Sequence, residues 1–433
     1  MTGPAASHPA LRVAFVRMGP HPIPNRLLPE ALGPALGGAR IEVLDLEARM
    51  RRDPVALLLN PFFVAWEHGW NLLLRRVRPW QAFFTTTFLF RRMSRVARRW
   101  IDRTGADASF QIQSLFDARS PGTPHFVYTD HTHLANLDYP DFDRRTLRGA
   151  RWLALERRLY HGAEVVFTRS RNISESLERA YGCACEQVVC VGAGSNVPIA
   201  AEDAAPEPGA DASPESPEIL FVGADWKRKG GPELVEAFRR LREHHPALRL
   251  SIVGCRPEVD LPGATVRGPL GLEAVRDAYA AADLFCLPTR REPFGVAFIE
   301  AMHHGLPVVS TRVGAVPELV GESGCGLLVE PGDVDGLTRA LGELLAEPAR
   351  ARELGERGRR HARGRFTWAA VASRMAVHVA PQRAATAAAS GGTATAGQGA
   401  ASGGAATAGQ GAASGGAATA GAKALPLRSE FAR

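Results

Sequence analysis

The chain has 433 residues, 45% of them hydrophobic and 22% charged. That is the balance of a soluble globular protein, and the length exceeds one ordinary core, so two or three domains are expected. The formal net charge of +7 is concentrated: residues 51–103 hold eleven Arg against Asp53, Glu67 and Asp102, a local +8 that leaves −1 for everything else. Basicity therefore marks one region and excludes a general affinity for nucleic acid.

The opening "MTGPAASHPALRVAFVR" lacks a basic segment followed by an apolar one, so no secretory signal is expected. "LRVAFVR" (11–17) and "IEVLDL" (41–46) predict strands, as do "ASFQIQ" (108–113), "HFVYT" (125–129) and "EVVFT" (164–168). Between the second and third lie "PVALLLNPFFVAW", "WNLLLRRVRPWQAFFTTTFLF" and "RRMSRVARRW". Neither apolar run reaches the ~18–20 residues that cross a bilayer. Trp66, Trp70, Trp80 and Trp100, interleaved with Arg, suit an anionic membrane surface contacting 54–103. The competing expectation is a helix pair with its apolar side packed inward and a solvated Arg face.

Residues 200–217, "AAEDAAPEPGADASPESP", are Pro-, Ala- and acid-rich without periodicity and predict a linker. Beyond it, strands are expected at 218–224, 248–254, 284–288, 307–311 and 326–329. Helices are expected at 232–245, 272–281, from about Phe294 and from Val334. From Ala388 a twelve-residue unit, mostly Ala, Gly, Ser and Thr, repeats three times. Such a tail, from 383, cannot bury enough apolar surface to offset its ordering entropy, so a disordered appendage is expected. The six cysteines (Cys183, Cys185, Cys190, Cys255, Cys286 and Cys325) show no zinc-like spacing. They suit reduced thiols in a cytoplasmic protein, with Cys183-Ala-Cys185 as a redox or metal pair the alternative.

Continuous apolar strands between amphipathic helices imply parallel sheets covered on both faces. Two such units suggest two doubly wound domains facing a central cleft, with ligands at the carboxyl ends of the strands. "REPFGVAFIEAMHHGLPVVST" (291–311) follows one strand end. Pro293 suits a first helical turn, and Gly295 lets backbone approach a ligand. The amides of Phe294, Gly295 and Val296 favour an anion such as diphosphate. Glu292 and Glu300 flank them as hydroxyl acceptors, and phosphate between hydroxyls describes a nucleotide-sugar. "FVGADWKRKGG" (221–231) ends a strand at Gly223 and offers Lys229 to a departing phosphate.

With these motifs, followed by "VGAVPELV" and "GLLVEPGDVDGL", the sequence resembles the retaining glycosyltransferases of the GT4 family, which have a GT-B fold. The resemblance covers about 11–380 and is strongest across 218–331. It implies that Glu292 contacts the donor-sugar hydroxyls, Glu300 holds the ribose and Lys229 binds the diphosphate. Where the family has Arg after the strand's Val-Gly, this chain has Ala224, and Arg228 is the candidate replacement. A family histidine near the reacting centre maps to His131 in "YTDHTHLANLDYPDFD", with His133 as fallback, and Asn196 is expected to face the cleft. The family's Gly-Gly after the first strand is reduced to Gly19. The implied chemistry is retaining and metal-independent, with no cofactor besides the donor and no dedicated nucleophile.

The expected architecture is α/β, GT-B, with two Rossmann-like domains. An acceptor-side domain spans 1–199, the linker 200–217, a nucleotide-sugar domain 218–365, a returning helix 366–382 and the repeat tail 383–433. Asp141-Phe142-Asp143 has the spacing of metal-dependent transferases, or Asp143 caps a helix. No G-x-G-x-x-G supports a dinucleotide oxidoreductase. A nucleotide-sugar epimerase and a non-catalytic nucleotide-sugar-binding scaffold are the alternative functions. The acceptor, whether glycan, lipid-linked or small molecule, stays open.

Overall fold

A computed structural model describes residues 11–20, 23–199 and 216–391. Two compact units divide the chain, Met1–Thr386 and Ala387–Arg433, and every strand among the described residues lies in the first. Of the expected linker only Ser216 and Pro217 are described, and of the repeats only the residues up to Gly391; the rest of both lie outside the described residues.

The first lobe runs β1 (Arg12–Arg17), α1 (Pro24–Ala35), β2 (Arg40–Asp45), α2 (Leu46–Met50), α3 (Pro54–Leu73), α4 (Pro79–Phe84) and α5 (Thr87–Thr104). It continues with β3 (Ala108–Ile112), β4 (His125–Thr129), α6 (Ala150–His161), β5 (Val165–Thr168), α7 (Arg171–Ser176) and β6 (Val188–Cys190). Its six strands are parallel in the order β2-β1-β3-β4-β5-β6. The second lobe runs β7 (Glu218–Val222), α8 (Gly231–Arg242), β8 (Arg249–Val253), β9 (Ala264–Gly268), α9 (Leu272–Ala281), β10 (Leu284–Leu287) and α10 (Val296–His303). Then come β11 (Val308–Thr311), β12 (Gly326–Val329), α11 (Val334–Ala346), α12 (Pro348–Ala362) and α13 (Trp368–Gly391). Its sheet is again six-stranded and parallel, in the order β12-β11-β10-β7-β8-β9.

The apolar runs form central strands because both faces are covered: β3, β4, β5, β10 and β11 are buried at every residue. Phe110, Phe126 and Phe167 stack across β3, β4 and β5 with ring centroids 4.9 and 6.1 Å apart. Two edge strands escaped the sequence reading. In β9 burial alternates, so it presents no continuous apolar run, while β6 is only three residues long and partly buried, too short for its apolar run to stand out. Strand order reverses between β1 and β3 in the first sheet and between β7 and β10 in the second. Chain leaving such neighbours in opposite directions opens a crevice at their carboxyl ends.

α13 returns to the first lobe. The Arg374 guanidinium donates to the Val191 carbonyl at 2.7 Å, and His378 meets Phe167 edge-on.

The inward-packing expectation for 54–103 holds for α5, which buries Leu89, Phe90, Met93, Ala97 and Ile101 and exposes Arg91, Arg95, Arg98 and Arg99, and fails for α3. α3 turns its polar side inward: Asn60 Nδ2 donates to the Phe83 carbonyl at 2.8 Å, and Glu67 accepts from the Thr87 amide at 2.9 Å. His68 reaches the Thr85 carbonyl at 3.3 Å, and Asn71 Nδ2 donates to the Arg145 carbonyl at 3.2 Å. The first three satisfy backbone at the α4–α5 corner and the start of α5, and Asn71 does so in the segment before α6, which explains why the polar stripe is the buried one.

Candidate functional site

The site grows from the β7/β10 switch point. The Gly223 amide donates to the Val253 carbonyl at 2.9 Å, and a Cβ at 223 would sit 3.1 Å from Lys229 Cγ. The missing side chain thus leaves room for the lysine stem. The turn after it closes through the Lys229 amide on the Asp225 carbonyl at 2.9 Å. Gly230 then takes φ +74, and a Cβ there would collide with the Pro288 carbonyl at the end of β10. Only glycine allows this approach, which brings the Lys229 turn against the loop after β10.

Lys229 Nζ and Glu292 Oε2 form an ion pair there, with the two residues only 9% and 5% exposed. Burial pulls the Lys229 pKa below the ordinary lysine range, against the raising field of Glu292. Arg228 braces the same loops: its Nη1 donates to the Arg291 carbonyl at 2.7 Å, and its carbonyl accepts from the Arg290 amide at 2.8 Å. It stands beside Lys229 where Ala224 offers no cation.

α10 begins at Val296, two residues later than the sequence suggested, because Gly295 adopts φ +101 as its N-cap. No side chain caps it; the Phe298 amide bonds back to the Gly295 carbonyl at 3.0 Å, which leaves the amides before it for a ligand. The Phe294 side chain is core, edge-on to Phe366 at 6.3 Å, so only its backbone is available to a ligand. Glu300, deeper in α10, accepts from Tyr279 Oη at 3.1 Å and from the Asn196 amide at 3.2 Å. Burial raises its pKa to about 7, opposed by those two bonds. Glu300 and Asn196, expected separately, thus join across the two lobes. Asn196 Oδ1 itself is buried without a protein partner.

From the first lobe, His131 follows β4. Its carbonyl accepts from Thr129 Oγ1 at 2.7 Å, while Nδ1 is buried with no partner. Burial lowers its pKa, keeping the imidazole neutral. The fallback His133 is committed to structure: Nε2 accepts from the Arg148 amide at 2.8 Å, and burial drives its pKa down to about 2. The Asp-x-Asp pair is split. Asp141 faces Arg291 at 3.9 Å, whereas Asp143 faces Arg76 at 3.7 Å and caps a 3-10 turn through the Arg145 amide at 3.0 Å. Among the described residues no group of three or more His, Cys, Asp or Glu is placed to hold a metal. Gly19's amide is already taken by Asp45 Oδ1 at 3.1 Å.

Sequence reasoning passed over several neighbours. Tyr139 Oη is buried without a partner and lies 3.1 Å from where a Gly314 Cβ would stand, beside the Glu292 carbonyl. Its ring is 6.2 Å from His131. Ser170 Oγ donates to the Pro293 carbonyl at 2.9 Å. Gln113, at the β1/β3 switch point, adopts φ +77, rare for a non-glycine, and its Oε1 is buried without a partner. Proximity to a strand end was the available signal; the strained backbone was not readable.

Comparison with known proteins agrees with this arrangement. Residues 216–347 match the family Glycosyl transferases group 1. Over 168 residues the chain is 37% identical to MMP alpha-(1->4)-mannosyltransferase of Mycolicibacterium hassiacum, covering 36% of this chain and 40% of that protein. Over 190 residues it is 33% identical to GDP-mannose-dependent alpha-(1-6)-phosphatidylinositol monomannoside mannosyltransferase of Mycolicibacterium smegmatis, covering 40% and 50%. The match thus spans half or less of these relatives' lengths. The structure of sucrose-phosphate synthase from Thermosynechococcus elongatus superposes with a TM-score of 0.64 at 21% identity, covering 87% of this chain and all of that one. The chain therefore has the GT-B fold, and residues 216–347 of its second lobe are similar to the glycosyl transferases group 1 family.

Proposed function

We propose that the protein is a retaining glycosyltransferase that moves a sugar from a nucleoside-diphosphate sugar to an acceptor hydroxyl. The observation that carries this reading is the buried Lys229–Glu292 pair beside the uncapped start of α10. It sets a cation and free amides for a diphosphate against a carboxylate for sugar hydroxyls. The GDP-mannose dependence of the Mycolicibacterium smegmatis relative points the same way.

Breaking the sugar–phosphate bond places negative charge on the leaving diphosphate and positive charge at the anomeric carbon. Lys229, the α10 amides and Arg228 meet the first. Glu292 holds sugar hydroxyls and lies beside the second. Glu300 and Asn196 join the lobes at the nucleoside end. The neutral imidazole of His131 and the hydroxyl of Tyr139 approach from the other lobe as hydrogen-bond partners for the sugar. The acceptor hydroxyl attacks from the face that the diphosphate leaves, and the departing phosphate oxygen takes its proton. No resident cofactor enters this scheme. Free cysteines, four of them buried, support a cytoplasmic setting. No helix among the described residues is long and apolar enough to cross a membrane.

The test is a thermal-shift series over nucleoside diphosphates, with and without attached sugar, followed by transfer assays on the responders. A binding donor should raise Tm, corresponding to roughly 2.7 kcal/mol at a hundredfold excess over Kd. Glu292→Gln should abolish transfer. Retained transfer in that variant, or no response to any nucleotide-sugar, refutes the reading. Isomerised sugar from donor alone would favour the epimerase alternative, and tight binding without turnover the scaffold.

A further inference from the structure

α3 is amphipathic in the inverted sense. Its 20 residues make a rod about 30 Å long. On the outward side Leu58, Phe62, Trp66 and Trp70 are 70%, 73%, 84% and 78% exposed. Their spacing of four residues makes one stripe, extended by exposed Leu73 and by Trp80 on α4. Single exposed apolar side chains are ordinary, but a continuous stripe of this length marks an interaction surface.

Charge identifies what fits it. Exposed Arg51 and Arg52 stand before the helix, and exposed Arg75 and Arg78 after it. Glu47 pairs with Arg51, which leaves Arg52 as the unpaired cation at that end among the described residues, while Asp53 is spent on Arg92 and Glu67 on the amide of Thr87. The stripe is thus apolar along its length and cationic at both ends. A second copy seated on it would bring two +8 regions together, which like-charge repulsion opposes. Beside Trp66, a cavity of about 490 Å³ is lined by Phe63, His68, Arg148, Arg151 and Trp152. The Arg148 guanidinium stacks 3.8 Å over the Trp152 ring, so exposed Arg151 is the cation this cavity offers, with Glu67 also in its lining.

We propose that the outward face of α3 docks the protein on an anionic phospholipid bilayer, with the helix lying in the interfacial plane. Its Trp, Phe and Leu side chains enter the acyl boundary and its terminal arginines meet the headgroups. The docked helix is tied to the acceptor side of the site. Asn71 holds the Arg145 carbonyl, and Arg76 faces Asp143, within the same segment whose Asp141 faces Arg291 of the second lobe. An acceptor carried on a lipid would meet the site from this side; that consequence, unlike the docking, rests on the glycosyltransferase reading.

The experiment is co-sedimentation of the full chain with phosphatidylcholine vesicles, with and without phosphatidylglycerol, at low and high salt. The wild-type chain is expected to pellet with phosphatidylglycerol vesicles and to be released by salt. Trp66→Ser with Trp70→Ser, at positions too exposed to carry the fold, should lower the partition coefficient more than about tenfold. Arg75→Ser with Arg78→Ser should lower it only on anionic vesicles. Absence of wild-type binding, or unchanged binding by the tryptophan variant, overturns the proposal. So does a dimer in solution that the tryptophan variant dissolves. Vesicle binding requires no turnover, so docking without transfer would sink the catalytic reading alone, and transfer without docking would sink this one alone.

Discussion

Removing either member of the Lys229–Glu292 pair strands the other charge. Their side chains keep 11% and 6% of their accessible surface, so water offers little replacement. Deleting one partner of such a pair costs roughly 3–5 kcal/mol, a large share of the ~5–15 kcal/mol that stabilises a domain. Glu292→Gln and Lys229→Met should each fall in that range. The double variant leaves no charge behind and should cost less than the sum of the two by about 2–3 kcal/mol or more. The pH dependence has a definite sign. With Glu292 neutral, only the weaker field of Asp225 opposes the burial that already lowers the Lys229 pKa, and Arg228 adds to that lowering. The folded lysine then releases its proton before the unfolded one, so Glu292→Gln should regain stability as pH rises towards the ordinary lysine value. Urea unfolding of the four proteins at neutral and alkaline pH, at constant m-value, measures this. Additive penalties, or single variants costing under about 1 kcal/mol, would show that the two groups do not share a desolvated site.

Two further predictions follow from the same lobe. Glu300 has its pKa raised to about 7 from 4.5, so between those values the unfolded chain ionises there while the folded one holds its proton. Stability should fall as pH rises through that window, by up to roughly 3 kcal/mol, and Tm against pH should flatten in Glu300→Gln; an unchanged slope refutes the assignment. Gly230→Ala places a Cβ against the Pro288 carbonyl at φ +74 and should cost roughly 1–3 kcal/mol. It should also weaken nucleotide-sugar binding more than about tenfold, read by calorimetry, whereas full-strength binding would show that the Lys229 turn need not touch β10.

Much of the architecture was legible because central parallel strands must be apolar on both sides. "HFVYT" and "GLLV" are strands at the residues where the pattern put them. What failed was what pattern does not encode. β9, "ATVRG", pairs on one edge only and alternates half-buried with exposed until Gly268, so it offered no apolar run to mark it as a strand. For 54–103 the periodicity of α3 was visible, but periodicity names two faces without saying which one packs. The answer lay in Asn60, Glu67, His68 and Asn71, whose partners are backbone groups up to 74 residues away in sequence. At the site, Lys229 and Glu292 were singled out separately as cation and carboxylate. Their mutual contact depends on the adjacency of β7 and β10, a fact of topology. Gln113 and Tyr139 carried no motif, and their orphaned oxygens exist only once the chain is folded around them.

The pairing also bears on why a sugar and a diphosphate would bind as a unit. Each charge of the Lys229–Glu292 pair is the other's counter-ion, so a ligand that engages only one leaves its partner buried and alone. A free nucleoside diphosphate offers oxygens to Lys229 and the α10 amides but gives Glu292 no donor in return. A bare sugar offers hydroxyls to Glu292 but no anion to the lysine. A nucleotide-sugar replaces both halves at once, exchanging one neutralised arrangement for another at little desolvation cost. On the proposed reading, selectivity for the intact donor follows from this exchange, and it needs no contact to the base. The thermal response should therefore be larger with the sugar attached than for the diphosphate alone. The same exchange would run backward after transfer: once the sugar has left, Glu292 loses its hydroxyl donors and competes with the diphosphate for Lys229, which favours product release.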